Sequence, residues 1–373
     1  MVGMRSFMNF FRKIEWANFL FITLSPVVAI GGTVWLYLAQ DGVRPATWIL
    51  AFILSFATGL GITGGYHRLF SHRSYQAHPF VRFVFLLLGG ASFEGSAREW
   101  ACAHRKHHRF VDTDQDPYNI KRGFWYAHVG WVVMKADQSD ESRIKDLLKD
   151  PLILFQDKYY IPLAALISLV LPTLLAGLWG DFLGGFFVAG WLRIVFNHHL
   201  TFLINSWCHY FGKQPFSDSN TARDSGIVSF FTFGEGYHNF HHAFEGDYRN
   251  GIRPFDWDPG KWLIASLSWL RLATNLKTVS PKKILEAKLC MDEKRFRQRI
   301  EHPHPWIQVV ERAKTNTLNL YARLQELRVE YKKTKMIELK REIRRLKLEF
   351  REALQQWHQI MQGQVPALAN ISS

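Results

Sequence analysis

The sequence predicts an all-α membrane protein. Four transmembrane helices form two hairpins, and the large polar segments, all on one side of the bilayer, carry a di-metal histidine site. Three observations predict this. Residues 16–65 hold one acidic and one basic residue, Asp41 and Arg44, and residues 159–204 again hold one of each, Asp181 and Arg193. The formal net charge of +14 therefore lies wholly outside those two apolar blocks. Sixteen histidines stand against three cysteines, and eight of the histidines fall in three short clusters. A composition 48% hydrophobic excludes a disordered chain, and three isolated cysteines exclude a disulfide scaffold or a cysteine-based zinc protein.

The elements follow in order. Residues 1–15 form a basic N-terminus with Arg5, Arg12 and Lys13. The first hairpin, 16–65, consists of the run Trp16 to Ala39, a polar link at 40–45, and the run Ala46 to Ile62. Each run matches the roughly 20 residues that a crossing needs. The first exceeds the usual core of a signal peptide and reads as a retained span. Residues 66–158 are polar and basic. Within them Pro79 to Gly95 is apolar but short and contains Glu94, so it reads as a re-entrant or interfacial helix. The second hairpin, 159–204, runs from Tyr159 to Leu178 and, after Trp179-Gly-Asp181, from Phe182 to Ile204. Pro172 inside it is tolerable where neighbouring helices satisfy the freed carbonyl. Residues 205–300 are polar again, and 301–373 form a basic tail. There Leu339, Ile343, Leu346, Phe350, Leu354, Trp357 and Met361 recur at spacings of three and four, the pattern of an amphipathic helix. Residues 311–352 carry 13 Lys+Arg and 7 Glu. The tail reads first as a helix packing on the polar segments or pairing with a second chain. The alternative is attraction to anionic headgroups or an acidic partner. Lys and Arg flank the large segments while the two links are tiny, so both termini and the histidine clusters are expected on the cytoplasmic side. The positive charge is then a topology signal plus a basic tail, and nucleic acid drops out as a partner.

The clusters are His67 with His72; His104, His107 and His108; and His238, His241 and His242. The last two share H-x-x-H-H. On a helix, positions i, i+3 and i+4 lie near one face, so each triplet is expected to converge on one centre. His67 and His72 stand about 140° apart on an ideal α-helix and are expected to serve different ions. Eight or more imidazoles exceed what one ion takes. Zinc of the structural kind uses four ligands with cysteine, and soluble di-iron proteins use Glu-x-x-His motifs absent here. The reading left is two irons held by nitrogen alone, able to activate O2, with zinc a possible substitute in recombinant material. Span ends with no phosphate-binding glycine loop point to a lipid-like substrate. An acyl chain, which has no acidic proton or leaving group, needs such an oxidant.

At this point a resemblance is visible. Gly61-Ile-Thr-Gly-Gly-Tyr-His67-Arg-Leu-Phe-Ser-His72-Arg-Ser-Tyr resembles the first box of the membrane fatty acyl desaturases of the stearoyl-CoA Δ9 type. Trp100 to His108, Asp116-Pro-Tyr and Arg122 to Trp131 resemble the second box and its sequel, and Gly234-Glu-Gly-Tyr-His238-Asn-Phe-His241-His242 resembles the third. The likeness covers roughly residues 10–275. It implies four transmembrane helices under a cytosolic helical cap, a bent substrate tunnel, O2 as co-substrate, and insertion of a cis double bond at Δ9. It also implies a ninth ligand, His209, and a water-mediated contact from Asn205, four residues earlier. The full metal set is then His67, His72, His104, His107, His108, His209, His238, His241, His242 and, through water, Asn205. No catalytic residue beyond these ligands is expected. No haem-binding segment is recognisable, so a separate electron donor of ferredoxin or cytochrome b5 type is expected. Acyl-CoA members usually read Trp-Ala-Arg-Asp-His before the second box, whereas this chain reads Trp100-Ala-Cys102-Ala103-His104. Acyl-CoA is the favoured carrier, with an acyl lipid as the alternative. A His-box hydroxylase or alkane monooxygenase is the competing enzyme, and a histidine-rich metal carrier the competing non-enzyme.

Other residues are assigned lesser parts. His198 and His199 are expected to line the tunnel or form hydrogen bonds, Cys102 and Cys208 to be inert, and Tyr118 and Trp131 to pack. Glu94 and Asp116 are expected to hydrogen-bond ligand imidazoles. His78, His128, His302, His304 and His358 are read as structural or exposed.

Overall fold

The computed structural model describes residues 11–135, 141–300 and 306–364. Arg5, His302, His304 and the tail beyond 364 lie outside the described residues. The chain divides into two units, residues 1–213 with 219–278, and residues 214–218 with 279–373.

The first unit contains four helices long and apolar enough to cross a membrane: α1 (Trp16–Ala39), α2 (Pro45–Ser71), α6 (Tyr160–Gly177) and α7 (Phe182–His209). Between α2 and α6 lie α3 (Pro79–Gly90), α4 (Ala97–Phe110) and α5 (Pro151–Lys158); α8 (Gly226–Phe231), α9 (His238–Ala243) and α10 (Pro259–Trp269) follow α7. Start signals are local. Ser96 and Glu99 form a reciprocal capping box at α4, and Asp150 and Asp258 cap α5 and α10, each with proline in the first turn. Helix α7 is the hub. Half of its apolar window is buried, against 17–33% for the other three, and it packs on each of them. The Asp181 side chain joins the two links. It accepts from Gly184 N (3.0 Å), from Arg44 N (2.9 Å) and from the Thr47 hydroxyl.

Helices α2 and α7 run past the apolar stretches that announced them, which stop at Ile62 and Ile204. Hydropathy marks contact with lipid and does not mark where a helix ends. From Gly61 to Ser71, α2 is wound as a π-helix, and His72 N–H donates to His67 O at 3.0 Å, an i→i+5 bond. Pro172 in α6 follows another π-wound turn, Leu166–Val170, which absorbs the bond that proline cannot make. The apolar segment beginning at Pro79 forms a helix of 12 residues, ending at Gly90, too short to cross. It lies so close to α2 that a Cβ on Gly61 would stand 2.5 Å from Gly89 N. A two-residue antiparallel pairing, Gln76–Ala77 with Ala273–Thr274, ties the chain after α2 to the chain after α10. Ile62, Tyr66, Phe70, Phe85, Ile153 and Ile264 belong to the core between these elements.

The second unit contains α11 (Pro281–Arg297), α12 (Trp306–Thr334) and α13 (Ile337–Met361). Lys335, at φ 57°, turns α12 into α13. Tyr321 meets Phe350 at 5.3 Å between ring centroids, and Leu324 and Leu327 pack with Ile343 and Leu346, so the two helices form an antiparallel hairpin. Trp357, fully buried among Leu289, Phe296, Val310 and Ile360, donates its indole N–H to Asp292 Oδ2 at 3.3 Å. The apolar stripe expected on the tail is therefore covered by α11 and α12. Helix α11 packs with this hairpin, although the sequence reading groups it with residues 205–300.

Candidate metal centre

Four elements bring the histidines together. His67 lies in the π-wound end of α2 and His72 just after it. His104, His107 and His108 lie on α4, His209 in the 3₁₀ turn that ends α7, and His238, His241 and His242 on α9. The nine rings sort into two groups. His67, His72, His104, His108 and His241 form one, and His107, His209, His238 and His242 the other; within each group the candidate ligand atoms all lie within 4.8 Å of one another.

Two sequence expectations are corrected. His67 and His72 join the same group, because a π-turn places residues i and i+5 on one side of the helix. Neither H-x-x-H-H triplet stays together. His104 and His108 face one centre and His107 the other; His238 and His242 face one centre and His241 the other. Residues i and i+4 are about 40° apart on an α-helix, whereas i+3 and i+4 are about 100° apart. Each triplet thus sends its i, i+4 pair one way and its middle ring the other. Helices α4 and α9 are shared struts between the centres.

Within each group, neighbouring ring nitrogens lie close enough to share one metal ion. His67 Nε2 lies 3.0 Å from His241 Nε2, which lies 3.0 Å from His108 Nε2; His72 Nε2 and His104 Nε2 are 2.8 Å apart. In the second group His238 Nε2 lies 3.0 Å from His209 Nε2 and 3.1 Å from His242 Nε2. Two nitrogens bound to one ion, each at about 2.1 Å, stand about 3.0–3.4 Å apart. His107 Nε2 is buried with no hydrogen-bond partner, the state of a nitrogen whose partner is an ion. Burial and then neighbouring rings hold His72, His104, His238, His241 and His242 well below the usual imidazole range, and burial lowers His108 to about 4. These rings are neutral near pH 7, with lone pairs available.

The far nitrogens are anchored. His67 Nδ1 lies 2.8 Å from Glu235 Oε2, His107 Nδ1 2.8 Å from Asp116 Oδ1, and His108 Nδ1 3.1 Å from Glu245 Oε2. His209 Nδ1 lies 2.8 Å from Thr221 Oγ1, which donates to Asp112 Oδ1 at 2.6 Å. A carboxylate behind a ring fixes its tautomer and aims the other nitrogen inward. Glu235 also accepts from Arg68 Nη2 (3.0 Å), Asn250 Nδ2 (2.9 Å) and the Thr63 hydroxyl, and Arg68 Nη1 pairs with buried Asp258 at 2.9 Å. Burial acts to raise the Glu235 carboxyl, but His67 and Arg68 outweigh it and hold the group far below the carboxylate range. Sequence reasoning found Asp116 and missed Glu235, Glu245, Thr221 and Asp112. Only Glu235 left a local signal, as the carboxylate in Gly234-Glu-Gly-Tyr-His238.

The remaining assignments sort as follows. Asn205 is half-buried on the last turn of the α-helical part of α7, and His209 follows in the 3₁₀ turn. Glu94 does not reach an imidazole. It accepts from Thr201 Oγ1 at 2.8 Å and from Trp100 Nε1 at 3.3 Å, and Trp100 stacks on His104. His198 Nε2 meets the carbonyls of Ser92 and Phe93 at 2.8 and 3.1 Å; His199 meets His128, which in turn meets Ser206. Cys102 and Cys208 are buried and form no disulfide. Glu94 lines a cavity of about 30 Å³ with Thr63, Ser92, Asn197, Thr201 and Glu235.

Burial pushes the Glu94 carboxyl up to about 7. A carboxyl raised in the fold contributes stability that is whole below its unfolded pKa and is lost as pH rises to the folded value. Glu94→Gln is therefore expected to match the parent in thermal stability at pH 4.5. It should gain on it progressively up to pH 7, by at most about 3 kcal/mol, and hold a constant advantage above. A difference that does not change between pH 4.5 and 8 would reject the buried, protonated carboxyl.

Comparison with known proteins gives concordant matches. Residues 44–254 match the family described as fatty acid desaturase. A probable acyl-CoA desaturase of Schizosaccharomyces pombe is 44% identical over 279 residues, 74% of this chain and 57% of that protein. Acyl-CoA desaturase 1 of Saccharomyces cerevisiae is 40% identical over 297 residues, 78% of this chain and 57% of that protein. Stearoyl-CoA desaturase 5 of Bos taurus is 35% identical over 284 residues, 74% of this chain and 83% of that protein. The chain thus spans little more than half the length of the two yeast relatives.

Proposed function

The chain belongs to the fatty acid desaturase family, and from that premise we propose that it is an O2-dependent, di-iron acyl desaturase that inserts a cis double bond at Δ9 into a saturated chain carried on coenzyme A. The observation that carries this reading is the pair of adjoining imidazole groups, five and four, built on shared helices at the ends of α2 and α7. The carrier rests on the relatives, which are named as acyl-CoA and stearoyl-CoA desaturases. The departure at Cys102-Ala103 keeps an acyl lipid as the second reading.

In this proposal His67, His72, His104, His108 and His241 hold one iron. His107, His209, His238 and His242 hold the other, with Asn205 reaching it through water. Bound irons would supply the oxidising power that an unactivated methylene pair demands, with O2 and two electrons from a separate carrier taking two hydrogens and two protons away as two waters. The protein's own groups set the stage. Glu235, Asp116, Glu245 and Thr221 fix the imidazole tautomers. His67 and Arg68 keep Glu235 ionised, and the surrounding core excludes bulk water. The acyl chain passes between α2 and α7 along the line of the cavity at Glu94. The basic flanks support a cytoplasmic orientation of the metal centre and both termini, on the side where a ferredoxin- or cytochrome b5-type donor would dock.

Expression in a host that lacks Δ9 unsaturation, followed by fatty-acid analysis, tests the reading. The expected result is cis-9 monoenes that disappear without O2. Hydroxylated chains with no new double bonds would replace the desaturase by the hydroxylase, and monoenes at another position would move the tunnel bend.

A further inference from the structure

The hairpin of α12 and α13 lies outside the region matched to the desaturase family and outside the metal centre. Its inner face is consumed by packing, which leaves the outer face of α13 to explain. At 100° per residue, Lys340, Arg341, Arg344, Lys347 and Arg351 fall within a sector of about 120°, and Ile337 and Leu348 fall inside the same sector. That sector points away from buried Ile343, Leu346, Ala353 and Trp357. All five cations are exposed, and none has a carboxylate partner among the described residues. The two apolar residues are also exposed, Ile337 by 69% and Leu348 by 57%. Near the turn Val329 and Met336 are exposed, as are Lys332, Lys333 and Lys335; Val329 lines a surface depression with Gln325, Glu326, Glu330 and Lys333. From Ile337 to Arg351 the stripe is about 21 Å long.

A soluble helical hairpin gains nothing by setting isoleucine and leucine among unpaired cations on its outer face. We propose that this stripe is a membrane-surface element: the outer face of α13 lies on an anionic bilayer, with the five cations at the lipid headgroups and Ile337 and Leu348 dipping among them. Three features select a bilayer over an acidic protein. The cations run along one face of a single helix, and each is exposed. The apolar side chains share their direction, as a planar interface demands. The same chain carries four candidate spans, so a bilayer is tethered to the hairpin at high effective concentration, and cytoplasmic leaflets are anionic.

The test uses the full chain in lipid nanodiscs. Cys290, the exposed cysteine, is replaced by serine, and Leu348→Cys carries an environment-sensitive fluorophore. In discs containing phosphatidylserine the emission is expected to shift to the blue and to be quenched by lipids bearing a nitroxide near the headgroup. In discs of phosphatidylcholine alone it is expected to resemble that of the detergent-solubilised monomer. High salt and the triple variant Lys340→Glu, Arg344→Glu, Lys347→Glu are expected to abolish the shift. These three residues lie outside the hairpin core, so helix content by circular dichroism should not change. Equal emission in the two kinds of disc, or a shift that survives the triple variant, would overturn the proposal. So would a shift in detergent that grows with protein concentration, which would assign the stripe to a second copy of the chain.

Discussion

His107→Ala is expected to abolish the double-bond formation proposed for this chain while leaving the protein in the membrane and folded. His107 is the one member of the α4 triplet that faces the four-imidazole group, and its Nε2 is buried without another partner. Its loss removes a quarter of that group's rings and leaves Asp116, now without its imidazole, buried against backbone amides. Disturbing a group behind a metal ligand costs roughly 10–100-fold in affinity or activity, and removing the ligand itself is expected to cost more than that range. Product measured in membranes, beside a membrane-fraction blot and metal analysis, checks it. The metal content should fall towards one ion per chain. Retained product would exclude His107 from the centre.

Glu235→Ala has an expected effect of similar size by a different route. The carboxylate is buried between His67 and Arg68 and is held by Asn250 and Thr63. Deleting it leaves the Arg68 guanidinium with Asp258 as its buried counter-charge among the described residues and frees the far nitrogen of His67. Breaking a buried ion pair from one side costs about 3–5 kcal/mol. A clear fall in unfolding temperature is therefore expected together with loss of metal from the five-imidazole group. Glu235→Gln separates the two effects. It keeps an oxygen acceptor and the shape but not the charge, so it should recover part of the stability while metal affinity stays reduced. If both variants lose stability and neither loses metal in equilibrium dialysis, Glu235 is a structural residue only.

Much of the fold was legible because it depends on short-range patterns. Four apolar runs announced four spans, and the spacing of Ile343, Leu346 and Trp357 announced the last helix. The ligand candidates were legible because clustered imidazoles are rare. Their division between two centres was not legible. It depends on α4 and α9 each lying between the two centres, so that the i, i+4 rings of a triplet face one and the middle ring the other, and on eleven residues of α2 adopting a π-winding that its glycines permit and no hydropathy pattern records. The anchoring groups were hidden for a related reason. Glu245 and Thr221 are far in sequence from His108 and close to it or to His209 only after folding. Leu348 resembles a core residue by type, and it took the hairpin to show it facing outward.

Helices α2 and α7, long and apolar enough to cross a bilayer, also carry His67 and His209, in a π-wound end and a 3₁₀ turn. At 28 residues α7 is about 42 Å long, against a hydrocarbon thickness of about 30 Å. Bilayers of different thickness are met by changing tilt, and a change in tilt of either helix displaces the end that carries its imidazole. The spacing of the imidazoles is therefore tied to how α2 and α7 lie in lipid.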